Sequence, residues 1–170
     1  MYKISRFHIY LMIILALLIH LTVLNRIRVF GSAPDLGLVL VIFFGLFLGE
    51  GAGLESGLVS GFLRDIFALD YFGINTCLMG IVGLMAGLLA NKFAKDTRVT
   101  QLTLVFYFTM LSMMTHFAVF ASFSRMVNLG FIEYLTSSAV PSSIYTSVVS
   151  VPIISRLVAI YGLKESEEFI

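Results

Sequence analysis

The sequence predicts an all-α membrane protein of about six transmembrane helices joined by short loops. Three observations predict it. First, the 170-residue chain is 59% hydrophobic and only 12% charged, whereas a soluble domain carries about a quarter charged residues. Second, its apolar runs are long. Residues 7–24 hold no formal charge apart from two histidines, and residues 36–49, 73–91, 102–124 and 134–155 lack Asp, Glu, Lys and Arg. A bilayer span needs roughly 17–25 mainly apolar residues. Third, glycines recur every four residues at Gly45, Gly49, Gly53, Gly57 and Gly61, with Gly37 in the same phase and Asp65 one step beyond. In water each interior glycine costs a helix about 0.8–1.0 kcal/mol against alanine. In a bilayer, small residues at this spacing let helix backbones approach closely.

Taken in order, residues 1–6 are a short basic lead and residues 7–24 the first span. It reads as a retained span, not a cleaved leader. Its apolar core is too long, Asn25-Arg26 follows without a small-residue cleavage pattern, and cutting after Gly31-Ser32-Ala33 would leave Pro34 first. Ser32-Ala33-Pro34-Asp35 reads as a helix start, because proline suits a first helical turn and the Asp35 carboxylate favours the positive end of the dipole. Residues 36–63 form a 28-residue block interrupted only by Glu50 and Glu55. A single straight helix would hold a carboxylate deep in lipid, at about 2.5–3.5 kcal/mol near mid-membrane. The block therefore divides near Gly49-Glu50-Gly51 into spans 36–49 and 53–69. Span four is 73–91, ending in Lys92-Phe93-Ala94-Lys95-Asp96. Span five is 102–123. Phe131-Ile132-Glu133-Tyr134 reads as an interfacial stretch before span six, 137–157. The whole is one polytopic domain, 1–170.

The break reorganises the glycine ladder. On one straight helix Gly45 and Gly61 would lie about 160° apart. Divided, Gly37, Gly45 and Gly49 fall on one helix and Gly53, Gly57 and Gly61 on the next, as a close-packed hairpin whose outer faces are left for a partner. Span six has a ladder of its own: Ser138, Ser142, Thr146 and Ser150, with Ser143 and Ser147 alongside and Pro141 and Pro152 bracketing it. Such hydroxyls pack helices and bond across them, at about 0.6 kcal/mol each. They can also take carbonyls freed by proline, or line a polar substrate path. Six spans place both termini on one side. Lys3, Arg6, Lys92, Lys95, Arg98, Arg156 and Lys164 lie there, against Arg26, Arg28, Arg64 and Arg125 opposite, so both termini are expected in the cytoplasm.

Several elements in order resemble the MreD family of rod shape-determining membrane proteins. They are Pro34-Asp35-Leu36, Gly49-Glu50 with the ladder behind it, Gly61-Phe62-Leu63-Arg64-Asp65 followed by Gly73, Gly83-Leu84-Met85-Ala86-Gly87, and Pro141, Tyr145 and Pro152 ending at Arg156-Leu157. Two positions depart from the family pattern: Thr146 stands where many members carry asparagine, and Arg64 where an apolar or small residue is more usual. The resemblance implies a bacterial inner-membrane scaffold of the cell-elongation machinery, without catalysis. It would act in lateral peptidoglycan synthesis with a bitopic MreC-like partner, near an MreB-like cytoskeleton, a RodA-like polymerase and its transpeptidase, a class B penicillin-binding protein. The six-helix, short-loop layout also looks like the substrate-binding subunits of energy-coupling-factor transporters. A small-molecule-binding transporter subunit is therefore the alternative.

The residues that could do chemistry are few. His8 and His20 are about 120° and about 18 Å apart on a helix and cannot share a metal. His116 stands alone in span five, and the single Cys77 permits no internal disulfide or thiolate cage. No metal, cofactor or nucleic-acid site is expected, and no nucleophile–base pair or phosphate-binding fingerprint appears. The acids are the polar candidates, because an ionisable residue at membrane depth is a functional hypothesis by default. Glu50 belongs at an interface. Glu55 either snorkels or faces a polar crevice, bonds a hydroxyl of span six, or couples to protons or ions. Asp65 caps the turn before Tyr71-Phe72-Gly73, grips a neighbouring helix, or meets a partner. Arg64 cannot face it, being adjacent.

Overall fold

The computed structural model describes residues 5–24, 33–67, 72–90, 92, 97–123 and 130–163, and every regular element among them is helical. Helix α1 is Arg6–Ile19, and its end widens into a π turn over His20–Leu24. Helices α2 (Leu36–Leu48), α3 (Glu50–Phe67), α4 (Ile74–Leu89) and α5 (Arg98–Phe123) follow. Then come α6 (Phe131–Tyr134), a π turn over Leu135–Ala139 and α7 (Val140–Tyr161). Lys3, Arg26, Arg28, Lys95, Arg125 and Lys164, which bear on the expected orientation, lie outside the described residues.

Helix α2 decides the architecture. It carries no polar face, and a helix apolar all round must be enclosed. Gly37 through Leu46 are buried without a gap. The helix is packed by α1, α3, α4, α5 and α7, so the rest of the bundle surrounds it. Its side chains form the core with Ile9 and Ile13 of α1, Met79 and Val82 of α4, Val105 and Phe108 of α5, and Ile154 of α7. The 13 residues of α2 span only about 20 Å.

The connection from α2 to α3 is one residue. Gly49 has φ 95° and ψ 177°, a region open essentially to glycine alone. Its N–H still bonds the Gly45 carbonyl, and its own carbonyl accepts from Gly53 N, each at 3.0 Å. The chain thus reverses without stranding a backbone group, and α3 begins at Glu50, three residues ahead of the expected span.

Among the described residues two helical stretches, Arg98–Ser122 and Phe131–Tyr161, are long and apolar enough to cross a bilayer; Arg6–Thr22, Leu36–Leu48 and Ile74–Leu89 are apolar but shorter. In the second of these stretches Phe131-Ile132-Glu133-Tyr134 runs on through the π turn into α7 as one helix. The widened turn stands directly before Pro141, whose ring clashes with the preceding turn of a regular helix. Tyr134 is then anchored to α5, stacked on Phe117 at 4.7 Å. Its hydroxyl donates to the Met113 carbonyl at 3.3 Å.

Candidate functional site

The glycine ladder has a different partner from the one expected. It is spent mainly between α3 and α4, not between α2 and α3. A Cβ on Gly53 would strike the Gly83 carbonyl and lie 2.8 Å from the Gly45 Cα. One on Gly57 would strike Met79 and come within 2.9 Å of the Gly80 Cα, and one on Gly61 would strike the backbone at Asn75 and Thr76. From the other side, Gly83 meets Gly53, and Gly87 meets the backbone of Glu50. Gly45 of α2 joins the same seam, its missing Cβ 2.7 Å from the Gly83 carbonyl and 2.8 Å from the Ala86 Cβ. The physical reason is that α4 has small residues of its own at 80, 83, 86 and 87. Two grooves can then close backbone to backbone, which the bulky α2 surface permits only at Gly45. Among the ladder positions Gly49 serves the turn, and Gly37 sits under the guanidinium of Arg64, 2.9 Å from where its Cβ would be.

Asp65 closes one end of that seam. It is 1% exposed. Its Oδ1 accepts from Asn75 N at 3.1 Å and Asn75 Nδ2 at 2.9 Å, while Oδ2 accepts from Thr76 N at 2.9 Å and Thr76 Oγ1 at 2.5 Å. The first turn of a helix has donors with no intrahelical partner. Helix α4 begins after Gly73, which has no side chain to cap with and holds φ 99°. The cap comes instead from the last turn of α3, and a carboxylate there also suits the helix dipole.

A second constellation joins α2, α3 and α7. Asp35 caps α2 through Oδ1, which accepts from Leu38 N at 2.9 Å. Arg64 forks onto the same carboxylate: Nη1 donates to Oδ2 at 2.7 Å and Nη2 donates to Oδ1. The Asp35 backbone N–H donates to Thr146 Oγ1 at 3.2 Å. Both side chains of the ion pair are largely enclosed, 18% exposed for Arg64 and 13% for Asp35. Pro34 is buried beside them. Arg64 is therefore not a loop cation. The two positions at which the chain departs from the resemblance, Arg64 and Thr146, meet on one residue, Asp35.

The remaining candidates are placed as follows. Glu55 accepts a hydrogen bond from the Tyr10 hydroxyl of α1, with Arg6 Nε 3.7 Å away. Its interhelical partner is thus in the first helix and not in span six. Glu50 is exposed in the first turn of α3. Ser142, Ser143, Thr146, Ser147 and Ser150 are buried and Ser138 half-buried. Ser143, Ser147 and Ser150 donate to the carbonyls of Ala139, Ser143 and Ser147, each at 2.7 Å. None of these is the carbonyl four residues before Pro141 or Pro152, so these hydroxyls do not take up the acceptors freed by proline. Turned onto their own helix, they leave a narrow surface that packs on α5, where Ser143 Oγ lies 3.8 Å from Met110 Sδ.

The small-molecule reading brings Glu55 and the α7 hydroxyls to one polar cavity. They sit on different neighbours, Glu55 against α1 and the hydroxyls against α5 and α2. Among the described residues no three His, Cys, Asp or Glu side chains gather to hold a metal ion. What the arrangement does chemically is fix helix against helix, with Asp35 neutralised by Arg64 and Asp65 hydrogen-bonded at both oxygens. Sequence reasoning missed Tyr10, Asn75 and Thr76, and took Arg64 for a flanking charge. The small residues at 80, 83 and 87 were the available sign of a facing ladder on α4.

A family model described as rod shape-determining protein MreD matches residues 1–161. None of the curated proteins and none of the solved structures matches the chain. The chain belongs to the MreD family, and its role is accordingly that of a membrane protein determining rod shape.

Proposed function

We propose that this MreD-family chain is a non-enzymatic scaffold of the bacterial cell-elongation machinery, working through helix-to-helix contacts with a bitopic MreC-like partner in the inner membrane. The observation that supports this most is where its small and polar residues are spent. The glycine seam, Asp35, Asp65 and the hydroxyls of Ser143, Thr146, Ser147 and Ser150 are engaged within the chain. What faces outward is apolar and regularly spaced: Leu54, Leu58, Phe62 and Ile66 on α3, with Ile81, Met85 and Leu88 on α4. A single span in lipid can pack against such a stripe by van der Waals contact. Through that partner the scaffold reaches the RodA-like polymerase and the class B penicillin-binding protein that build lateral peptidoglycan. Residues 92–98 face the MreB-like cytoskeleton.

This reading sets six spans in the bilayer with both termini in the cytoplasm. Removing Arg64 from the flanking charges, because it is paired with Asp35, leaves seven Lys and Arg on the cytoplasmic side against three outside, in keeping with the positive-inside bias. A reporter active only outside the cytoplasm, fused after residue 170, should stay silent; activity would overturn the orientation.

Depletion followed by microscopy tests the role, with rods expected to round up. Phe62→Ala with Ile66→Ala, side chains that none of the seam glycines meets, tests the face. Recovery of the bitopic partner on co-purification should drop while the variant's melting stays near wild type. Full recovery with normal rods would remove the α3 stripe as the docking face.

A further inference from the structure

The bundle is built from two differently made bodies. In the first, α2, α3 and α4 meet backbone to backbone at Gly45, Gly53, Gly57, Gly61, Gly83 and Gly87, with the Asp65 cap locking the end. A seam of that kind cannot slide, because any shift drives main chain into main chain. In the second, α5 is held to the Phe131–Tyr161 helix by side chains: Phe117 on Phe131 at 5.6 Å and on Tyr134 at 4.7 Å, and Ser143 beside Met110.

The joint between the bodies is different again. Although consecutive, α4 and α5 touch only lightly, and the second body rests mainly on α2. Val105, Phe108 and Ile154 supply an apolar surface there, and apolar contact is non-directional. Helix α1 packs on α2 and α3 and so goes with the first body; directional contacts across the joint include Asp35 N–H on Thr146 Oγ1 at 3.2 Å and the Tyr161 hydroxyl on Met12 Sδ of α1 at 3.3 Å. Pro152 lies between these two points inside α7, where the lost hydrogen bond makes a helix bend most easily.

We propose that α5–α7 rocks as a unit against the α2–α4 body, and that the Thr146–Asp35 and Tyr161–Met12 contacts clasp it in the arrangement seen. Arg64 belongs to the clasp as a positioning residue, since it fixes the Asp35 carboxylate whose backbone N–H engages Thr146. The device is independent of which partner the outer faces meet.

Pulsed electron–electron distance measurements on the full chain in lipid nanodiscs test it, in a Cys77→Ser background. The cross-joint pair is Ile66→Cys with Val148→Cys. The within-body pairs are Ile66→Cys with Met85→Cys and Tyr107→Cys with Val148→Cys, all at exposed positions. Thr146→Val with Tyr161→Phe should add a second cross-joint distance, its population rising up to about threefold for each bond lost. Both within-body distances should stay unchanged, and Thr146→Ser should restore the single distance at the Thr146 end. A cross-joint distribution that stays as narrow as the within-body ones in the double variant would overturn the proposal. So would within-body distances that broaden in step, which would signify general loosening.

Discussion

Gly51 and Gly53 stand two residues apart on α3, and alanine should act on them with opposite sign. At Gly53 the added Cβ meets the Gly83 carbonyl inside van der Waals contact, with the Gly83 carbonyl carbon and the Gly45 Cα each at 2.8 Å. All three neighbours are main chain, so none can swing aside. Overpacking costs about 1–3 kcal/mol, here at the upper end, and alanine returns about 1 kcal/mol of helix propensity, which leaves a net loss of about 2 kcal/mol. At Gly51 an added Cβ has no atom within 4 Å, so a propensity gain stands alone, at the low end of about 0.5–1 kcal/mol because Gly51 is in the first turn of α3. The two variants should differ by about 2–3 kcal/mol, or about 5–10 °C in melting for a chain of this size. Gly80→Ala should fall between them, because its nearest neighbour is the Leu58 side-chain terminus at 2.9 Å, which can rotate away. Thermal unfolding of the purified proteins in one detergent measures all three. If Gly53→Ala melts with or above Gly51→Ala, the backbone-to-backbone seam is wrong.

Arg64→Met alone should cost about 3–5 kcal/mol by leaving Asp35 enclosed and unpaired, whereas Arg64→Met with Asp35→Asn should recover most of that loss. A double-mutant cycle of unfolding midpoints reads the coupling, and simple additivity would dismiss the pair. Asp65→Ala removes the acceptor from the first turn of α4, for about 0.5–2 kcal/mol. Hydrogen exchange at the Asn75 and Thr76 amides should accelerate while the Gly53 amide, bonded to Gly49, keeps its rate. Tyr10→Phe removes the hydrogen bond from α1 to Glu55, leaving Arg6 3.7 Å from the carboxylate, and should raise exchange in residues 6–19 with no change in the α3–α4 seam; a uniform rise along the chain would count against a local tether.

The helix-start chemistry of Pro34-Asp35 and the reversal at Gly49 were legible because both are local. One needs a carboxylate beside a first turn, and the other needs a backbone angle that only glycine adopts freely. The class of protein was legible too, since apolar runs of this length have few other uses. The pairing of surfaces was not. A ladder at four-residue spacing states that some backbone comes close, and nothing in its own spacing states which. Adjacency in sequence pairs Gly53, Gly57 and Gly61 with the hairpin neighbour. Their closest approaches are instead to α4, where a second set of small residues lets two main chains touch.

Charges show the same division. Arg64 reads as a flanking cation, and Glu55 is given a polar crevice, a span-six hydroxyl or an ion to meet, because a one-dimensional count cannot see the partner each has on another element: Asp35, 29 residues away, and Tyr10, 45 residues away. The sequence by itself determined that this chain is an apolar helical bundle with a sharp break at Gly49 and a ladder of close contacts. Only the tertiary structure decided that α2 is the enclosed centre, that α3 and α4 share the seam, and that Asp35 gathers Arg64 and Thr146. Local geometry depends on neighbours in the chain. Enclosure, close approach and charge pairing depend on which helices arrive at the same place.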